Sequence, residues 1–125
     1  MDGEITPEEV ERLLDEGADL RVVDIRSPGA FARGHIPGSE NVPMQQLTQR
    51  VDSLAGSEHI VTVCPHGQAS IQAANLIKSF EGTADATVES MAGGITSWQG
   101  DLASGTDESA ESTAAEADEG PQSPF

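Results

Sequence analysis

Cys64 is the only cysteine in the chain, and its neighbours are those a reactive thiolate needs. Upstream, His59-Ile60-Val61-Thr62-Val63 is a short β-branched run that reads as a buried strand. Downstream, Pro65-His66-Gly67-Gln68 breaks regular structure, and helical spacing then runs from Ala69 to Phe80, with Ala73, Ala74, Ile77 and Phe80 as the buried face. A strand, a short glycine-containing loop and a helix aim backbone N–H groups and the positive end of a helix dipole at the loop. Such a place stabilises an anion, and the nucleophilic form of cysteine is its anion. The ordinary alternative is an inert core cysteine. A lone cysteine forms no internal disulfide, and with scattered histidines it gives poor support for a zinc site.

The elements that must position this loop alternate between helix and strand. Thr6-Pro7-Glu8-Glu9 is a helix start, with Thr6 as N-cap, Pro7 in the first turn and Glu9 completing a capping box. Val10, Leu13 and Leu14 form its apolar stripe, and Gly17 stops it. Strands are expected at 20–25, at 40–42, before Cys64 and at 86–91. One or two helical turns are expected at 28–33, ended by Gly34, and a helix at 44–54 from the spacing of Met44, Leu47, Val51 and Leu54. Gly93-Gly94 leads into a short helix carrying Trp98. Repeated βα units predict an α/β domain, a mainly parallel sheet with helices on both faces.

Composition bounds the rest. The 125 residues hold one domain and a tail. There are 22 acidic and 6 basic residues, a net charge of -16, which disfavours nucleic acid and anionic membrane surfaces. Five of the basic residues are arginines and only Lys78 is a lysine. This balance resembles the acid-rich proteins of halophilic archaea, in which salt screens self-repulsion; the alternative is a merely acidic protein with an acidic tail. The N-terminus lacks a signal-peptide pattern and no apolar run approaches membrane-spanning length, so a soluble, cytoplasmic protein is expected. From Asp101 to Phe125 the chain has almost nothing to bury and no basic residue, and it carries seven of the acidic residues. The domain is therefore expected over 1–100 and a disordered acidic tail over 101–125.

The residues together resemble a known family. Val23-Asp24-Ile25-Arg26, then Phe31, then Gly34-His35-Ile36-Pro37-Gly38-Ser39-Glu40-Asn41-Val42-Pro43, are similar to the N-terminal signature of rhodanese (sulfurtransferase) domains. Cys64 opening a Cys-x-x-Gly loop matches their active-site position, and Gly93-Gly94-Ile95 with Trp98 matches their Gly-Gly…Trp element. The resemblance implies a rhodanese-like three-layer fold in which Cys64 takes a sulfane sulfur, becomes a persulfide and passes the sulfur to a thiol or protein acceptor. It implies no cofactor and no metal. Pro65, His66, Gly67, Gln68, Ala69 and Ser70 would form the anion-binding loop, its donors being backbone N–H groups except at Pro65. Gly67 would take a positive φ, and Ser70 would cap the helix or bond the sulfur. Asp24 and Arg26 would form a structural ion-pair and hydrogen-bond set rather than act as catalysts, with orientation of the loop as their further role; His35 would satisfy backbone groups of its turn, and Trp98 would pack on the core.

One departure matters. Rhodanese loops often carry arginine where this chain has Ala69, so His66 is the only loop side chain able to hold positive charge. Weak use of thiosulfate, a small dianion, is the expectation, with persulfide donors favoured. Cysteine phosphatases need their arginine one position later, where Ser70 stands, which disfavours phosphate-ester hydrolysis. A catalytically silent binding or regulatory module of the same fold is the alternative, and a redox-sensing thiol a weaker third reading.

Overall fold

A computed structural model of the chain describes residues 1–105. Its elements are β1 (Glu4–Ile5), α1 (Pro7–Asp15), β2 (Arg21–Asp24), α2 (Pro28–Arg33), β3 (Glu40–Asn41), α3 (Leu47–Arg50), β4 (His59–Val63), α4 (Ala69–Lys78) and β5 (Thr87–Met91). Short 3-10 turns lie at Met44–Gln46, Val51–Leu54, Glu81–Thr83 and Ile95–Ser97. The five strands form one sheet in the order β1-β5-β4-β2-β3, and its four pairings are all parallel. The site strand β4 is central, held by β2 on one side and β5 on the other.

Alternation along the strands divides the core between the two faces. Val22, Val61, Val63 and Met91 meet α1 through Val10, with Leu13, Leu14 and Trp98 packed against them. Val23, Ile25, Ile60, Cys64 and Val88 meet Leu47, Val51 and Leu54 on one flank and Ala73, Ala74 and Ile77 of α4 on the other. Helices therefore cover both faces of a parallel sheet, as the βα alternation requires. Phe80 joins the second layer half-buried.

Local rules account for most boundaries. Thr6 Oγ1 accepts the Glu9 N–H at 3.2 Å, while the Glu9 carboxylate takes Arg12. Ser27 caps α2 in the same way through the Ala30 N–H, at 3.2 Å. Each cap is worth about 1 kcal/mol. Gly17 takes φ +73 just past α1, where the Ala18 N–H bonds back to the Leu13 carbonyl at 3.0 Å.

Two local expectations are corrected. The helix expected over 44–54 is a 3-10 turn, one turn of α3 and a second 3-10 turn. Its apolar residues step by three, four and three, and i, i+3 steps line up on one side in the tighter 3-10 winding. The Glu4–Ile5 strand was not expected, because two residues are too few to show a period. It forms by adding to the edge at β5, with Glu4 in register with Ser90.

Residues 101–105, grouped with the tail on composition, lie against α2 and the turn after it. The His35 N–H donates to the Ala103 carbonyl (2.9 Å), the Ala103 N–H to the His35 carbonyl (2.8 Å), and the Gly105 N–H to the Ala32 carbonyl (2.8 Å). These are main-chain bonds, to which composition is blind. The rest of the expected tail, 106–125, lies outside the described residues.

Candidate active site

Cys64 follows β4 directly and is only 1% exposed. The Gly67 N–H points at its sulfur at 3.0 Å, and Ser70 Oγ stands 3.3 Å from it. The backbone N–H groups of Ser70 and His66 also favour the sulfur's anion electrostatically. Burial pushes the Cys64 thiol up, but the Ser70 hydroxyl and then the N–H groups of Ser70, His66 and Gly67 outweigh it, so the thiol lies below its ordinary value. Helix α4 starts at Ala69, and Gln68 at its N-cap makes no side-chain hydrogen bond to the helix end. The Cys64 sulfur lies at this end of α4, 3.3 Å from the Ser70 hydroxyl of its first turn.

The loop divides into an inner and an outer set. Gly67 and Ser70 are buried, whereas Pro65, His66, Gln68 and Ala69 are exposed around the rim. Gly67 has φ +86, and a Cβ there would come within 2.7 Å of the Gly93 nitrogen. Gly94, at φ +66, sits so close behind the loop that a Cβ would meet the Cys64 carbonyl oxygen at 2.4 Å. That closeness lets the Ile95 N–H donate to the Cys64 carbonyl (2.8 Å) and the Thr96 N–H to the Pro65 carbonyl (3.2 Å). The Gly-Gly turn thus fixes the loop's outer carbonyls while the loop's own N–H groups face the sulfur.

Two further polar residues were not singled out by the sequence. Ser90 of β5 lies 2.6 Å from Ser70 Oγ, hydroxyl to hydroxyl, and the Thr62 hydroxyl donates to the Ser70 carbonyl at 2.7 Å. Thr62 and Ser90 are register partners, and both are fully buried. Strand alternation carries the signal: Thr62 and Cys64 share a face, as do Val88 and Ser90, so a small polar residue falls on each inward stripe.

Asp24 and Arg26 form a nearly buried pair at 2.8 Å, and both Asp24 oxygens bond to the guanidinium. Arg26 also donates to the Gly34 carbonyl at 2.7 Å, so the pair ties the end of β2 to the turn after α2. Among the described residues no bond of either side chain reaches residues 64–70. Their link to the site is main-chain: Asp24 is in register with Val63, and the Ile25 N–H donates to the Val63 carbonyl at 2.9 Å. His35 stacks on Phe31 with ring centroids 3.7 Å apart, its Nδ1 2.8 Å from the Phe31 carbonyl. No helix among the described residues is long and apolar enough to cross a membrane.

Residues 6–101 match the rhodanese-like domain family. Over 95 residues the chain is 37% identical to the thiosulfate sulfurtransferase GlpE of Pseudomonas aeruginosa, covering 76% of this chain and 82% of that protein. It is also 37% identical over 89 residues to the thiosulfate sulfurtransferase GlpE of Pseudoalteromonas translucida, covering 70% of this chain and 79% of the other. Among solved structures, the human single-domain sulfurtransferase TSTD1 superposes with a TM-score of 0.65 at 27% identity, over 76% of this chain and 93% of that one. With its parallel sheet, its Cys64 loop and its Gly-Gly turn, the chain belongs to the rhodanese-like domain family.

Proposed function

We propose that the protein is a sulfurtransferase that moves a sulfane sulfur through a persulfide on Cys64. The observation that carries the reading is the Gly67 N–H at 3.0 Å and the Ser70 hydroxyl at 3.3 Å from the buried Cys64 sulfur, neutral groups that favour its thiolate together with the N–H groups of Ser70 and His66. In the first half-reaction the Cys64 thiolate attacks the donor's outer sulfur. A Cys64–S–S⁻ bond forms, the donor's S–S bond breaks, and its electron pair leaves with sulfite from thiosulfate, or with a thiolate from a low-molecular-weight persulfide. In the second, an acceptor thiolate takes the terminal sulfur and Cys64 leaves as the thiolate. Charge and electrons balance in each half, so no cofactor is needed. The inner N–H groups and the Ser70 hydroxyl hold the anion throughout. Asp24 and Arg26 support the loop at one remove by fixing the end of β2 beside Val63.

With Ala69 and exposed His66 on its rim, the loop presents no fixed cation to a dianionic donor. A persulfide donor is therefore preferred over thiosulfate in this reading. The names of the GlpE relatives favour thiosulfate instead, and kinetics decides. Turnover is measured with thiosulfate and with glutathione persulfide, in low and high salt; a higher kcat/KM for thiosulfate defeats the preference. The silent-module reading rests on Ala69 and Pro65, and any donor-dependent sulfur adduct on Cys64 removes it. The net charge of -16 supports a cytoplasmic protein of a salt-rich cell.

A further inference from the structure

Ser70 has one hydroxyl proton and two neighbours: as a thiol Cys64 donates to Ser70 Oγ, and as a thiolate it competes with Ser90 for the Ser70 proton. Its Oγ lies 3.3 Å from the Cys64 sulfur and 2.6 Å from Ser90 Oγ. Ser70 and Ser90 are both fully buried, so water reaches neither hydroxyl. Among the described residues the Ser90 side chain has no hydrogen-bond partner other than Ser70. If Ser70 gave its proton to Ser90, the Ser90 proton would be left buried and unpartnered, at a cost comparable to a lost hydrogen bond. If Ser90 donates instead, Ser70 accepts from it and its own proton turns to the sulfur. Two protons then fill two links, and the chain of hydroxyls ends on an acceptor without a hydrogen, which a thiolate supplies and a thiol does not.

We propose that Ser90 is a positioning residue that holds the Ser70 hydroxyl with its proton on the Cys64 sulfur. It touches neither donor nor acceptor and acts only through Ser70. Register explains its placement: β5 runs parallel to β4 with Ser90 opposite Thr62, two residues before Cys64 on the same face, and the Thr62 hydroxyl anchors the Ser70 backbone. The charged and titratable groups of the surrounding elements are His66 in the loop, Asp24 and Arg26 at the end of β2, Glu4 of β1 in register with Ser90, Lys78 of α4, which pairs with Asp2 at 3.0 Å, and Glu89 beside Ser90, which pairs with His59 at 2.6 Å. All of them are unchanged in the variants below.

The inference rests on Cys64 being the working thiol, and its test reads the thiolate with no sulfur donor present. A failure of sulfur transfer and a failure of this positioning role are thereby told apart. The full chain has one cysteine, so thiolate absorbance against pH, with the rate of iodoacetamide alkylation, reports Cys64 alone. S90A should move the titration to higher pH and lower the thiolate fraction about fivefold at a pH below the midpoint. S90T and S90V have the same shape and differ in the hydroxyl, so they give a second reading if S90A folds poorly: S90T should titrate at lower pH than S90V. In an S70A background S90A should add no further shift. The proposal is overturned if S90A leaves the titration in place, if S90T and S90V titrate together, or if S90A shifts it equally when Ser70 is gone, since packing alone would do that.

Discussion

Replacing Ser70 with alanine removes the one side-chain hydroxyl, among the described residues, that bonds to the Cys64 sulfur and can donate to its thiolate, while leaving the loop's N–H groups in place. The thiol of S70A should therefore titrate at higher pH than the wild type, with about fivefold less thiolate at a pH below the midpoint. In the wild type the alkylation rate should rise with pH through a midpoint below that of an ordinary free thiol. The sign for stability follows, because the folded thiol is depressed relative to the unfolded one. The thiolate's stabilising contribution is complete above the unfolded value and is lost as pH falls through the folded value. On the rim, A69R adds a cation at an exposed position, where a charge-assisted bond to thiosulfate should raise kcat/KM for that donor about tenfold. An unchanged kcat/KM would remove the missing arginine as the reason for any donor preference. The cysteine was legible in the sequence because strand, glycine loop and helix are local patterns. Ser90 was not, because its role depends on which residue stands 20 positions away from Ser70 across a strand pair.

Among the elements, the turn at Gly93-Gly94 is as much a part of the site as the loop it supports. G94A would drive a Cβ to 2.5 Å from the Pro65 carbonyl oxygen and strain a backbone at φ +66. A loss of about 3 kcal/mol is expected from urea unfolding, together with an alkylation profile displaced toward that of an ordinary thiol. Wild-type stability in G94A would contradict the close packing of the two segments. The larger elements could be read from period and punctuation: Thr6 caps α1, and Gly17 and Gly34 end α1 and α2. Elements built by tertiary hydrogen bonding could not. The edge strand Glu4–Ile5 exists only because β5 offers unpaired main-chain groups, and the 44–54 segment winds in 3-10 steps that a helical-spacing reading does not separate from α.

For the whole molecule, main-chain contacts to the domain continue past the composition change at Asp101. A chain ending at Gly105 keeps the main-chain bonds from Ala103 and Gly105 to His35 and Ala32, whereas one ending at Gly100 loses all three. The first should unfold within about 0.5 kcal/mol of the full chain, and the second should be less stable by about 1–3 kcal/mol in urea titrations. Equal stability of the two would show that the 101–105 contact contributes nothing. Composition gives no sign of this contact because main-chain pairing leaves no mark on residue type. The most direct test of the account is intact-mass analysis of the full chain after incubation with a sulfane-sulfur donor. The account predicts one added sulfur atom, lost on treatment with an acceptor thiol and never formed on C64S. No adduct with thiosulfate or glutathione persulfide, or an adduct that persists in C64S, would contradict it.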